Sequence, residues 1–463
     1  MTISELLGLQ SLNAKWNGQA GVPSEPIAGI ATDSRHIEPG ELFWAIKGDR
    51  FDGHDFVLQA IERGAVSAVT SREWFEAKKG ALHGEPLISV DDTLEAYQLL
   101  ARHYRLKFDI PAIAITGSSG KTTTKEFVAA VLSQKVHVLK NIKSFNNHIG
   151  VPATLFQLRP EHQILVAEVG TNHFGELDRL SYLVQPSVCV ITNIGYAHLE
   201  FFSSLEGVAR AKMEVLNHLA DDGVVFYNGD DKILAGQTFA GRKSVSFGVN
   251  SLADIRATAL KCDGLGRYEF MLDNVKIKLA IPGRHNVSNA LAAAAIGRHF
   301  SLTTGEIKSG IESVRSVDKR MQVQRLGDVL ILNDSYNGNP GSCRAALETA
   351  ADIKVESGGR KIAIFGNMLE LGTYSQEEHA KLADEMKRAG FKVVFLFGEE
   401  TKFTAERAKE LEFQKVGHYH EMDLLIHDLS MYVKPHDFLL VKGSRSMRME
   451  RVIDGLQNFQ DSL

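Results

Sequence analysis

Short apolar runs closed by glycine, asparagine or charged residues recur along the chain, and many are followed by apolar positions at helical spacing. Residues 110–115 form one such run, uncharged and suited to a buried parallel strand. Phe127, Val128, Val131 and Leu132 then predict a helix over 125–132. Runs at 164–169 and 188–191 predict two more strands, and Leu205, Val208, Ala209, Met213, Leu216 and Leu219 predict a helix over 205–219. Ahead of these, strand-like 42–46 and 65–70 flank a helical 56–63, and a helix over 93–106 leads into a linker at 107–111. An alanine-rich helix is expected over 290–297. From residue 329 the pattern restarts, with strands at 329–333, 361–365, 393–398 and 438–441 alternating with helices from Ser342 and over 376–388. Strand and helix in alternation imply parallel sheets in an α/β fold.

A chain of 463 residues exceeds what one core serves, and roughly 150 residues per domain gives about three. The expected division is a small N-terminal α/β domain over 1–107, a central parallel-sheet domain over 108–315 and a C-terminal Rossmann-like domain over 316–463. With 52 basic against 57 acidic residues, a net charge of −5 and no basic tail, nucleic acid is not an expected partner. Cys189, Cys262 and Cys343 lie far apart without metal-ligand spacing, which fits buried thiols in a reducing compartment. The first residues carry Glu5 within their apolar part and no basic leader, and no uncharged apolar run nears the roughly 18 residues of a membrane span. A cytoplasmic chain without a membrane span is therefore expected.

The chemistry begins at Thr116, Gly117, Ser118, Ser119, Gly120, Lys121, Thr122 and Thr123, placed between the first central strand and its helix. Glycines let backbone approach an anion, the helix N-terminus offers unpaired N–H groups, and a lysine reaches phosphate oxygens. The usual phosphate loop carries a leading glycine where Ile115 stands, so this is a short form. Thr122 can offer its hydroxyl to magnesium. Glu168 ends the second strand and His198 follows the third, so ligands are expected there, at the carboxyl ends of parallel strands. Histidine is an unusual magnesium ligand, and Lys212 alone reads as a snorkelling surface lysine.

Several other residues carry two readings each. Asn146 and Asn147 are turn formers or neutral donors to a polar ligand. Asn286 and Asn289, one helical turn apart, can read an adenine edge or cap a helix. Ser34, Arg35 and Lys47 can grip a diphosphate or are solvated loop residues. Asp334 and Lys442 sit at strand ends, and Arg320 can reach across from a domain boundary.

The short loop TGSSGKTT, the strand end at Glu168, His198 and the string Arg210 to Lys212 resemble the Mur ligase superfamily in order and approximate spacing, over nearly the whole chain. The strings DSYNGNP from Asp334, GNMLELG from Gly366 and KGSRSMRME from Lys442 resemble its member that adds D-alanyl-D-alanine. Two positions depart from the common pattern, with Gly338 in place of alanine and Asn367 in place of an aspartate near the presumed substrate side. The resemblance implies an ATP-dependent amide ligase acting on UDP-MurNAc-tripeptide through an acyl phosphate; a monomer is the default expectation. Its N-terminal domain would bind the UDP sugar through Ser34, Arg35 and Lys47, and its central domain would be the ATPase. Lys121 and the loop amides from Gly117 to Thr123 would hold the β and γ phosphates. Thr122 and Glu168 would hold one magnesium, and His198 with a carbamylated Lys212 a second. Asn286, Asn289, Arg320, Asp334, Tyr336, Asn337 and Asn339 would surround ATP, with Asn146, Asn147, Lys442, Ser444 and Arg445 on the substrate side. Lys121, Glu168, His198, Lys212 and Arg320 are the expected catalytic set. The rivals are another amide ligase of the superfamily and a P-loop switch or transport ATPase.

Overall fold

The structure is a computed structural model, and it describes residues 1–48, 51–239, 241–250 and 252–461. Three sheets follow one another along the chain. The first has five strands in the order Lys15–Trp16, Leu87–Val90, Ser67–Ser71, Leu42–Trp44 and Ile30–Ala31, parallel except for the first. Its core gathers Leu42, Trp44, Ile88, Tyr97 and Leu100, and the buried Trp44 indole donates to the Thr93 carbonyl at 2.7 Å. That bond ties the sheet to helix Thr93–Arg105, because a buried indole N–H needs an acceptor. Ser34 and Arg35 follow one strand of this sheet and Lys47 its parallel neighbour, so all three lie beyond the carboxyl ends of adjacent strands. Asp49 and Arg50, expected in the turn after Lys47, fall outside the described residues.

The central sheet has nine strands, in the order Val275–Pro282, Arg267–Leu272, Ile255–Cys262, Lys243–Gly248, Val224–Asn228, Val188–Ile191, Ala112–Thr116, Ile164–Glu168 and Val138–Lys140. Ala112–Thr116 lies between the strands that lead to Glu168 and to His198, so the three ends converge by topology. Helix Lys121–Leu132 buries Phe127, Val128, Val131 and Leu132, at about 1.5–3 kcal/mol for each large apolar side chain. It packs on helices His285–His299 and Thr304–Ser313. Gly310 permits that closeness, since a Cβ there would stand 2.5 Å from the Val131 Cα.

The strands over 255–282, which the sequence pattern did not reveal, pair antiparallel at the edge of the otherwise parallel sheet. Alternating solvated residues such as Arg256, Lys276 and Lys278 keep that region from reading as a buried run. The helix expected over 290–297 starts at His285, and the one over 205–219 ends at Met213 in a tighter turn. The third sheet runs Gln322–Leu326, Val329–Asp334, Phe438–Lys442, Lys361–Gly366, Val393–Phe397 and Lys415–Tyr419, parallel beyond its first strand. No described helix is long and apolar enough to cross a membrane.

Candidate active site

Gly117 and Gly120 have φ of 144° and 80°, conformations that favour glycine. Space imposes the same choice: a Cβ on Gly117 would stand 2.0 Å from the Thr192 Oγ1, and one on Gly120 2.7 Å from the Asn289 Oδ1. Helix Lys121–Leu132 starts at Gly120 with no side-chain cap, so its first N–H groups stay available to an anion. The loop is held from outside by residues 192–195, which the sequence reading missed. Ser119 N–H donates to the Asn193 Oδ1 at 2.9 Å, the Thr192 hydroxyl donates to the Ser119 carbonyl at 2.6 Å, and the Ser118 hydroxyl donates to the Gly195 carbonyl at 3.0 Å. Their place just beyond strand Val188–Ile191 was the available signal. Lys121 donates to the Gly117 carbonyl at 2.7 Å, and burial holds its ammonium below the usual lysine range.

Thr122 donates to the Glu168 carboxylate at 2.8 Å, and both are buried. The other Glu168 oxygen accepts from the Asn146 amide at 2.7 Å, while Asn147 accepts from the Gly150 N–H at 2.8 Å. Asn146 is thus a donor toward the site and Asn147 a turn former. Lys125, which the sequence reading did not single out, is fully buried 3.9 Å from Glu168 and donates to the Asn141 carbonyl at 2.8 Å. It supplies a cation behind the carboxylate. Asn286 donates to the Pro282 carbonyl at 2.6 Å and Asn289 to the Asn286 Oδ1 at 2.9 Å, so neither caps the helix, whose N-cap is Arg284. Asn289 also accepts from the Thr124 hydroxyl at 3.1 Å, locking this helix to the phosphate-loop helix.

The third sheet brings its residues to the same place. Arg320 donates to the Ser144 hydroxyl at 2.9 Å, and its guanidinium carbon lies 3.8 Å from the Tyr336 ring centroid. Its buried Nε has no partner within the described protein. Lys442 pairs with Asp334 and donates to the Asn337 carbonyl at 2.8 Å. Asn339 caps helix Pro340–Asp352 by accepting from the Ser342 N–H at 2.8 Å. Gly338 lies close to the neighbouring backbone, where a Cβ would stand 2.8 Å from the Gly443 carbonyl carbon and require it to shift. Asn367 is buried against Gly398 and accepts from the Thr401 N–H at 3.2 Å.

These side chains surround one cleft of about 1160 Å³, lined from the phosphate loop, from Asn146, Asn147, Glu168, His198, Asn286 and Asn289, and from Arg320, Asp334, Tyr336, Asn337, Asn339, Lys442 and Arg445. Gly117, Lys212 and Ser444 sit behind its wall, with the Ser444 hydroxyl donating to the Gly338 carbonyl at 2.9 Å. Ser34, Arg35 and Lys47 do not line it: the Ser34 hydroxyl is bound to Gln59 at 3.0 Å, and the exposed Arg35 pairs with Asp33 at 2.7 Å. Lys212 is not the surface residue its isolated reading suggested. It is 1 % exposed, no described residue bonds its ammonium, and burial, then the Lys121 charge, pushes its pKa well down. His198 meets Glu370 of the third unit through its Nδ1, and that bond holds the Glu370 carboxyl below the usual range.

A short phosphate loop at a strand end, facing basic residues from a second parallel sheet, defines a nucleotide-binding α/β protein of the P-loop kind. The chain matches three family models: "Mur ligase family, catalytic domain" over residues 26–105, "Mur ligase middle domain" over 115–297, and "Mur ligase, glutamate ligase domain" over 319–445. It is 36% identical over 459 residues to the UDP-N-acetylmuramoyl-tripeptide--D-alanyl-D-alanine ligase of Escherichia coli K12, covering 97% of this chain and 98% of that one. Among solved structures it resembles MurF from Acinetobacter baumannii, with a TM-score of 0.87, 31% identity and 99% and 98% of the two chains covered. It also resembles MurF ligase from Thermotoga maritima in complex with ADP, with a TM-score of 0.82, 26% identity and 94% and 99% covered. The chain belongs to the Mur ligase family.

Among the described residues, no three His, Cys, Asp or Glu side chains gather as a ready metal site. The donors fit magnesium ions that complete their shells on nucleotide oxygens, because Thr122 and Glu168 offer adjacent hard oxygens and magnesium keeps several non-protein ligands. They fit a second ion only if Lys212 exchanges its ammonium for an anionic oxygen, and its buried, unbonded amine suits that exchange.

Proposed function

We propose that this chain joins D-alanyl-D-alanine to UDP-MurNAc-tripeptide at the expense of ATP, giving UDP-MurNAc-pentapeptide, ADP and phosphate for peptidoglycan precursor synthesis. The meeting of the phosphate loop with Arg320, Asp334 and Lys442 in one cleft carries this reading, because it sets a phosphate-binding surface against a second cationic wall. ATP lies on the amides from Gly117 to Thr123 with Lys121 on its outer phosphates, and Arg320 with Tyr336, Asn286, Asn289, Asp334, Asn337 and Asn339 encloses it. The tripeptide's terminal carboxylate attacks the γ-phosphorus, forming an acyl phosphate and releasing ADP. The dipeptide amine then attacks the acyl carbon, and the tetrahedral intermediate expels phosphate. Phosphoryl transfer asks mainly for positioning and charge neutralisation, so Lys121 and Arg320 serve without a protein nucleophile.

Magnesium, held at Thr122 and Glu168 and at His198 and Lys212, neutralises phosphate charge when bound. The neutral Lys212 amine attacks carbon dioxide, the new N–C bond leaves anionic oxygens, and the proton goes to solvent. The units 1–107, 108–315 and 316–463 serve as UDP-sugar, ATP and ligase domains, with Ser34, Arg35 and Lys47 on the uridine diphosphate and Asn146, Asn147, Lys442, Ser444 and Arg445 toward the peptide substrates. We place the enzyme in the cytoplasm as a monomer whose site is completed by domain closure. Phosphate release from ATP, offered D-alanyl-D-alanine with either the diaminopimelate or the lysine tripeptide, tests the reading; release with neither overturns it.

A further inference from the structure

The His198 and Glu370 pair joins two units across 172 residues of sequence. His198 is 23% and Glu370 44% exposed at the side chain, and exposed pairs of this kind contribute little to folding. Both residues hold left-handed backbone conformations, with φ of 55° and 62°, which cost energy in non-glycine residues and persist where the surroundings impose them. At the seam the Glu370 carbonyl accepts the Glu200 N–H at 3.2 Å, and Gly372, at φ 55°, lets the loop lie against Glu200. A neutral His198 ring that donates Nδ1–H to this carboxylate presents an unprotonated Nε2, the form that binds a metal.

The geometry points to Glu370 as a positioning residue that fixes the tautomer and ring orientation of His198 when the third unit closes on the central one. Resting on the metal reading of His198 above, this makes completion of the second cation site depend on domain closure. Nucleotide that has not drawn the third unit in would then find only the site at Thr122 and Glu168.

The test is manganese binding to the full chain in the presence of ADP, followed by electron paramagnetic resonance, for wild type, Glu370→Ala, His198→Ala and the double variant. Wild type is expected to bind two ions. Glu370→Ala should keep the tighter ion and weaken the other by about 10–100-fold, as loss of a group orienting a metal ligand does. The double variant should lose no more than His198→Ala alone. An unchanged weaker site in Glu370→Ala, additive losses in the double variant, or loss of both ions together overturns the positioning role while leaving the ligase reading intact. A wild type that binds one ion overturns the two-metal reading and this role with it.

Discussion

Asp334 and Lys442 are register partners on neighbouring parallel strands, and their side chains form an ion pair with 10% and 2% of each exposed. Asp334 also accepts the Met321 N–H at 3.1 Å, which holds the backbone beside Arg320. Removing one partner of a buried pair leaves an uncompensated charge, which costs about 3–5 kcal/mol. Lys442→Met should therefore lower the stability of the third unit by that amount in urea unfolding, and adding Asp334→Asn should restore part of it.

Lys121→Ala should abolish useful turnover. Loss of one preorganised group that stabilises developing charge costs about 10²–10³-fold in rate, and the lysine carries a full charge. Phosphate release under saturating substrates measures it, with circular dichroism unchanged because, among the described residues, the Lys121 side chain bonds only to the Gly117 carbonyl.

Lys212 carries a pH signature. Burial lowers its folded-state pKa, so between that value and the ordinary 10.5 the unfolded chain binds more protons and stability rises with pH. In buffer free of carbon dioxide, the melting temperature of wild type should gain on that of Lys212→Met as pH rises toward 10.5, and a parallel pH response of the two proteins would exclude a buried neutral amine. Lys212→Ala should lose most activity and regain part with short carboxylic acids, which supply the missing oxygens.

Arg320 links the third unit to Ser144 and stacks on Tyr336. A charged hydrogen bond and a partly desolvated cation–π contact together predict a loss of about 2–4 kcal/mol in kcat/KM for ATP in Arg320→Ala. Arg320→Lys should recover little, because an ammonium cannot stack and bond at once.

The phosphate loop and the parallel strands Ala112–Thr116, Ile164–Glu168 and Val188–Ile191 were legible because each joins an uncharged run to a polar end. The antiparallel edge over 255–282 was not, since its outward charges break the run. Partnerships set by tertiary approach left no local trace: Ser144 on Arg320 and Glu370 on His198 each join distant segments. Lys212 shows the limit most plainly, because a lysine at helical spacing reads as solvated until the fold closes over it.

The central claim is amide synthesis through an acyl phosphate, and the fate of one oxygen atom tests it. With both terminal carboxylate oxygens of the tripeptide heavy-labelled, each turnover with D-alanyl-D-alanine and ATP should release phosphate carrying one labelled oxygen, seen by mass spectrometry. Unlabelled phosphate, formed by attack of water on ATP, would contradict the account.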